Sequence, residues 1–128
     1  MGQNIIEVRH LSKTFGNHEV LKDIDFSVSE GDVTCIIGAS GSGKSTVMKL
    51  CARFYDPSGG HVTFGGIPMR EIDPEKLMSR ISMVFQDVYL FQDTIRNNIR
   101  FGKKDASDDE IIAAAKKACC HDFIMRLP

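Results

Sequence analysis

Apolar positions along the first third of the chain recur at strand spacing. Ile5, Val8 and Leu11 predict a strand or its edge over residues 5–11, and Ser12-Lys13-Thr14-Phe15-Gly16-Asn17 a turn. From Val20-Leu21 to Val28 the pattern nearly alternates, with Ile24, Phe26 and Val28 set against Asp23, Asp25 and Ser27. That is the period of a half-buried antiparallel strand. Glu30-Gly31-Asp32 then turns the chain into Val33-Thr34-Cys35-Ile36-Ile37, a short β-prone apolar run. Beyond residue 45 the period changes, because Val47, Leu50, Cys51 and Phe54 recur at i, i+3, i+4, i+7 and predict a helix. Asp56-Pro57-Ser58-Gly59-Gly60 is its expected stop.

The later pattern is shorter in period and better punctuated. Val62-Thr63-Phe64 predicts a strand that Gly65-Gly66 turns back into Ile67-Pro68-Met69, and Asp73-Pro74-Glu75 opens a short helix with proline at its first position. Ile81-Ser82-Met83-Val84-Phe85 predicts a further strand, with Gln86-Asp87 at its C-terminal end. In open α/β sheets ligands collect at that edge. Ser107-Asp108-Asp109-Glu110 is a capping box, and the helix it opens is expected to carry Ile111, Ala115, Ala118, Cys119 and Phe123 on one face.

Between Ile37 and Val47 lies Gly38-Ala39-Ser40-Gly41-Ser42-Gly43-Lys44-Ser45, followed by Thr46, which satisfies G-x-x-x-x-G-K-[ST]. A polyphosphate is held by backbone N–H groups pointing into a tight loop, and glycine permits both the turn and the close approach. Lys44 brings a point charge to the β- and γ-phosphates, the Ser45 hydroxyl faces the bridging Mg²⁺, and the helix that follows presents its positive dipole end to the anion. A chance match in a glycine-rich turn is the alternative; the strand before and helix after weigh against it. Asp56 to Gly59 also fits the D-x-x-G of GTPases, but no N-K-x-D follows and the segment reads as a turn.

Composition changes this picture little. The 128 residues suit about one domain, and 16 Lys and Arg against 17 Asp and Glu, interspersed, leave no basic face for nucleic acid. Neither apolar run, Val33 to Ile37 nor Ile111 to Ala115, is long enough to cross a bilayer, and no signal peptide precedes Glu7 and Arg9. A membrane role is therefore expected through a partner. Met1-Gly2 is not a myristoylation site, since Ile6 stands where Ser or Thr is needed. Cys35, Cys51, Cys119 and Cys120 form no C-x-x-C and read as reduced thiols, Cys35 and Cys51 as small core residues. His10, His18, His61 and His121 show no metal spacing.

With these residues in place, the chain from about Ile5 to Pro128 resembles the N-terminal part of the ATP-binding domain of an ABC transporter of exporter-like type. The fold this implies is α/β: a P-loop NTPase (RecA-like) core with an N-terminal antiparallel β subdomain, truncated, with residues 1–128 forming one portion of the domain. Three stretches carry the resemblance beyond the glycine loop. Leu11 to Phe15 with Val20 to Ile24 is similar to the family's opening segment, which places Phe15 against adenine and Val20 beside it; a core or turn aromatic is the alternative for Phe15. Val84-Phe85-Gln86-Asp87 resembles the glutamine loop, giving Gln86 a role at the Mg²⁺ and attacking water, against a solvated loop glutamine. Leu90-Phe91-Gln92-Asp93-Thr94-Ile95-Arg96-Asn97-Asn98-Ile99 is similar to the L-F-x-x-T-I-x-x-N-I run of exporters. There Tyr89, Leu90 and Phe91 would contact the membrane domain or, equally, lie buried under their own domain.

The resemblance implies an ATPase whose cofactors are ATP and Mg²⁺, and whose partners are a transmembrane domain and a second ATP-binding domain packed head to tail. It places the parent protein at the cytoplasmic face of the cell membrane and the isolated chain in the cytoplasm. Lys44 and Gln86 are its catalytic candidates; Phe15, Val20, Ser40, Gly41, Ser42, Gly43, Lys44, Ser45 and Thr46 its nucleotide contacts; Ser45 and Gln86 its metal contacts. The signature L-S-G-G-Q, the magnesium aspartate, the adjacent glutamate and the switch histidine are not among these residues. Weak nucleotide binding without hydrolysis is therefore expected of this chain, with unpaired apolar edges at Val33 to Ile37. A stand-alone, non-catalytic nucleotide-binding module is the second reading, and a P-loop kinase or GTPase the third.

Overall fold

Alternation and turn chemistry build a hairpin that dominates the first half of the molecule. In a computed structural model describing residues 2–128, strand β1 (Asn4–Phe15) pairs antiparallel with β2 (His18–Ser29), Val8 opposite Phe26, Leu11 opposite Ile24 and Phe15 opposite His18. The other edge of β1 pairs antiparallel with β3 (Gly59–Phe64), Val8 opposite Val62, and β3 with the short β4 (Ile67–Pro68), giving the order β2-β1-β3-β4. The alternation expected of β2 is present: Ile24, Phe26 and Val28 are half-buried while Asp23, Asp25 and Ser27 are exposed. The turn expected at 12–17 is shorter, because Ser12 to Phe15 continue β1, Ser12 opposite Gly59 of β3 and Lys13, Thr14 and Phe15 opposite Leu21, Glu19 and His18 of β2.

The remaining elements are helix α1 (Lys44–Cys51), a 3-10 turn (Met69–Glu71), and helices α2 (Pro74–Met78), α3 (Ile95–Arg100), α4 (Asp108–Lys117) and α5 (His121–Ile124). The chain divides into two compact units, one ending at Met83 and the other Val84–Pro128. The core of the first joins Val8, Leu11 and Leu21 to Val47, Leu50 and Cys51 of α1, with Val62, Met69 and Leu77. In the second, Ile111 and Ala115 of α4 are buried.

Two helices stop earlier than their sequence suggests, for one reason. After α1 the Arg53 amide donates to Leu50 O and the Phe54 amide to Lys49 O, a Schellman closure with Arg53 in the left-handed region at φ 59°. A non-glycine residue is held there by its own side chain, since the Arg53 guanidinium donates to the carbonyls of Met69, Arg70 and Ile72. Phe54 thus falls outside the helix and is exposed. After α4, Cys119 (φ 57°) donates to Lys116 O and Cys120 to Ala115 O in the same motif, so Ala118, Cys119 and Phe123 leave the expected apolar face and are exposed.

Two expected strands do not form. Residues 33–37 and 81–85 lie in no strand; Val33 is 100 % exposed, Ile37 89 % and Val84 98 %. Strand propensity without a neighbouring strand leaves backbone N–H and C=O groups with no ladder to join, so water keeps them. Cys35 is accordingly exposed rather than in the core. Cys51 is buried as expected, and that burial pushes its thiol up to about 11.

At the β1–β2 bulge, His10 (φ 50°) and Asp23 (φ 50°) both adopt left-handed backbone. The His10 amide donates to Asp25 Oδ1 at 3.0 Å and its Nδ1 lies 2.7 Å from Asp23 Oδ1, a juxtaposition of residues 13 apart that linear spacing does not reveal. The three side chains bring ligand-type atoms within 4.8 Å of one another, but all are exposed and His10 Nδ1 is already engaged by Asp23 Oδ1. The Asp23 hydrogen bond, then the Asp25 charge, raise the His10 pKa above 6.5. A pKa raised by folding stabilises fully below the unfolded value and loses its effect as pH rises through the folded one. Thermal midpoints measured from about pH 6 to pH 8 should therefore fall more steeply for the original chain than for His10→Ala; parallel curves would contradict this.

Candidate functional site

The glycine loop is held in place by the core beneath it. Val47, Leu50 and Cys51 anchor α1, and its N-cap Gly43 (φ 92°) presses on the hairpin. A Cβ at Gly43 would lie 2.7 Å from Leu21 Cδ2 and 3.3 Å from the Val20 carbonyl oxygen. At the loop's other end a Cβ on Gly38 would come 2.6 Å from Ser42 Oγ, so the loop closes on itself there and Ser42 would have to shift to admit a side chain. The Ser42 amide donates to Ala39 O at 3.2 Å across this turn.

Lys44 folds over the loop rather than away from it. Its ammonium donates to Gly38 O at 2.6 Å and Ala39 O at 2.7 Å, with Ser42 Oγ at 3.4 Å. The amino end of α1 has no side-chain cap and no acidic residue in its first turn. By contrast Asp73, Thr94 and Ser107 cap α2, α3 and α4 through their side chains. The first amides of a helix have no intrahelical acceptor, so this end offers donors, a positive dipole and the Lys44 cation. Ser40, Gly41, Ser42 and Ser45 are exposed, and Thr46 half-buried. The arrangement can take an anion with several oxygens.

Phe15 ends β1, 42 % exposed, and is not a core residue. Its ring meets that of Tyr55 edge to face at 5.4 Å, with Lys13 Nζ 5.0 Å from its centroid. Val20 lies on β2 where that strand touches Gly43, so Phe15, Val20 and the loop belong to one unit. Nothing in the linear spacing of Lys13, Lys49 and Tyr55 links them to Phe15. A cavity of about 430 Å³ in the same unit, lined by Arg53, Tyr55, His61 and Arg70 among others, includes no residue of the glycine loop.

Gln86 and residues 89–91 belong to the second unit, outside regular structure. Here an unexpected staple explains the run around Thr94. Asn98 Oδ1 accepts from the Phe91 amide at 2.8 Å, while its Nδ2 donates to the carbonyls of Phe91, Asp93 and Thr94. Asp93 accepts from the Thr94 amide and from Asn97 Nδ2, which lower its pKa, Asn97 contributing most. Thr94 Oγ1 caps α3 by accepting from the Asn97 amide. Tyr89 (80 % exposed), Leu90 and Phe91 are exposed among the described residues, with Phe91 resting on Tyr89 and Phe101.

A family model described as ABC transporter matches residues 21–127. The chain belongs to the ABC transporter family. It is 42% identical over 123 residues to a probable ABC transporter ATP-binding/permease protein of Haemophilus influenzae, covering 96% of this chain and 22% of that one. It is 44% identical over 124 residues to a putative ABC transporter ATP-binding protein of Mycoplasma genitalium, covering 94% and 21%. A putative multidrug export ATP-binding/permease protein of Staphylococcus aureus is 40% identical over 128 residues, covering 98% and 22%. The fold is that of part of a bacterial Atm1-family ABC exporter solved with ATP bound, with a TM-score of 0.91 at 36% identity over 100% of this chain and 23% of that chain. The chain thus spans about a fifth of the length of the ABC relatives it matches. Phe15 and Val20 precede the matched residues. Among the described residues no helix is long and apolar enough to cross a membrane.

The contact between loop and hairpin can be tested by comparing two glycines of this ABC chain. Gly41 also has a positive φ, 80°, but a Cβ there would meet nothing within 4 Å. Gly41→Ala should cost about 1 kcal/mol of backbone strain and Gly43→Ala about 2–3 kcal/mol in urea unfolding. Equal losses would mean that β2 does not brace the loop.

Proposed function

We propose that this chain is the ATP-binding portion of an ABC exporter's ATPase module. The observation that carries the reading is the loop Gly38 to Ser45, uncapped at α1 and closed by Lys44, which suits a triphosphate in charge and in donor geometry. The loop's close-approach glycines and the exposed Ser45 hydroxyl fit Mg-ATP. Ser45 would hold the Mg²⁺, which would supply charge neutralisation at the phosphates. Ser40, Gly41, Ser42, Gly43 and Thr46 supply loop donors, Lys44 the cation for the β- and γ-phosphates, Ser45 the metal contact, and Phe15 with Val20 the base contact. Gln86 serves the metal and the attacking water.

Tyr89, Leu90 and Phe91 are the contact for a transmembrane domain. All three are exposed, as a docking contact requires, and Asn98 fixes the backbone at Phe91. A second ATP-binding domain packs head to tail on the nucleotide, at the cytoplasmic face of the cell membrane. Residues 1–128 bind nucleotide weakly and do not turn it over, because Lys44, Ser45 and Gln86 supply only part of the charge stabilisation that hydrolysis requires.

The test is thermal unfolding of the chain with and without Mg-ATP, beside Lys44→Ala. A ligand bound only by the native state adds about 2.7 kcal/mol at a hundred times its Kd. The midpoint should rise with Mg-ATP in the original chain and not in the variant, with no Lys44-dependent phosphate release. An equal rise in both would refute the role of Lys44, and steady turnover would refute the non-catalytic part.

A further inference from the structure

We propose that Lys13 and Tyr55 are positioning residues for the base of the nucleotide, holding the Phe15 ring so that one face is presented to a purine. The proposal rests on the reading of the loop and Phe15 given above, and adds to it residues outside the glycine-loop motif.

Three distances define the cluster. Lys13 Nζ is 5.0 Å from the Phe15 centroid and 5.8 Å from that of Tyr55, and the two rings are 5.4 Å apart at 82°. Lys13 Nζ thus stands over the Phe15 ring, and Tyr55 meets that ring edge to face. Phe15 keeps 42 % of its surface exposed beside these two contacts, which leaves room for a stacked base.

Covering one face changes what the other prefers. An aromatic face carries negative charge density, which an ammonium on one side draws toward itself. The far face is then less repulsive to an electron-rich purine stacked in parallel. The ring is also held before any base arrives, so less side-chain freedom is lost on stacking.

The cluster is fixed to the phosphate side of the site. Lys13 Nζ donates to Asp56 O at 2.7 Å, Ser58 Oγ accepts from the Thr14 amide at 3.1 Å, and the Ser58 amide donates to Ser12 O at 2.9 Å. These bonds bind the segment that carries Tyr55 to the end of β1 that carries Phe15. Lys49, on the helix that the glycine loop opens, brings its Nζ to 6.0 Å from the Tyr55 ring. The base contact and the phosphate contact therefore share one support.

The experiment is isothermal titration of the full chain with Mg-ATP and with magnesium tripolyphosphate, which keeps the phosphates and lacks the base. The original chain should prefer ATP. Lys13→Met and Tyr55→Leu should each cut that preference about two- to fivefold, without changing tripolyphosphate affinity. Lys13→Arg and Tyr55→Phe should retain it. Equal weakening toward both ligands, or an unchanged ATP preference in both variants, would overturn the proposal. Should Lys13→Met lose its cooperative melt, Tyr55→Leu decides alone. An original chain that binds both ligands equally overturns the base site but leaves the phosphate loop standing; one that binds neither overturns both.

Discussion

The position of the glycine loop depends on the burial of α1 against β1 and β2. Val8 and Leu11 on the central strand are fully buried, and Leu50 nearly so. Each such side chain contributes about 1.5–3 kcal/mol on burial. The loop's own bonds, the Ser42 turn and the Lys44 contacts, are exposed and contribute about 1 kcal/mol each. Packing therefore decides where the loop sits. The Gly43 contact with Val20 and Leu21 transmits that decision to the backbone.

Legibility in the sequence followed the range of the signal. The alternation of β2, the Ser107 capping box and the Asp73 cap are local devices, and each is where the residues said it would be. The helix ends were not legible, because Arg53 and Cys119 occupy a left-handed position that usually calls for glycine. What makes Arg53 acceptable is a set of carbonyls from residues 69–72, distant in sequence. Helix α3 was missed in the same way: Thr94, Asn97 and Asn98 were visible as a family-like run, but their hydrogen bonds emerge only when the backbone of residues 91–94 folds over them.

The two strands that did not form show the limit of propensity. Val33 to Ile37 and Ile81 to Phe85 have the apolar, β-branched character of buried strands, yet the sheet β2-β1-β3-β4 has no place for either. Strand formation is a pairing property, and apolar residues with no ladder to enter gain nothing from extension. The candidate site was legible where it needed only chain-local geometry, as in the loop. It was not legible where side chains from separate segments meet, as Lys13, Phe15 and Tyr55 do.

That distinction bears on how an ATP site divides its labour. Binding a triphosphate needs donors, a cation and a stacking face in fixed relation, and the first unit holds candidates for all three on one core. Accelerating hydrolysis needs groups that act more strongly on the transition state than on bound ATP. Of the candidates named for that task, Lys44 also serves ground-state binding, and Gln86 belongs to the second unit, in irregular backbone. On the proposed reading, nucleotide recognition is a property of the packed hairpin and helix. Turnover then depends on whatever fixes the irregular segment between Val84 and Thr94, and the Asn98 staple fixes only its later part.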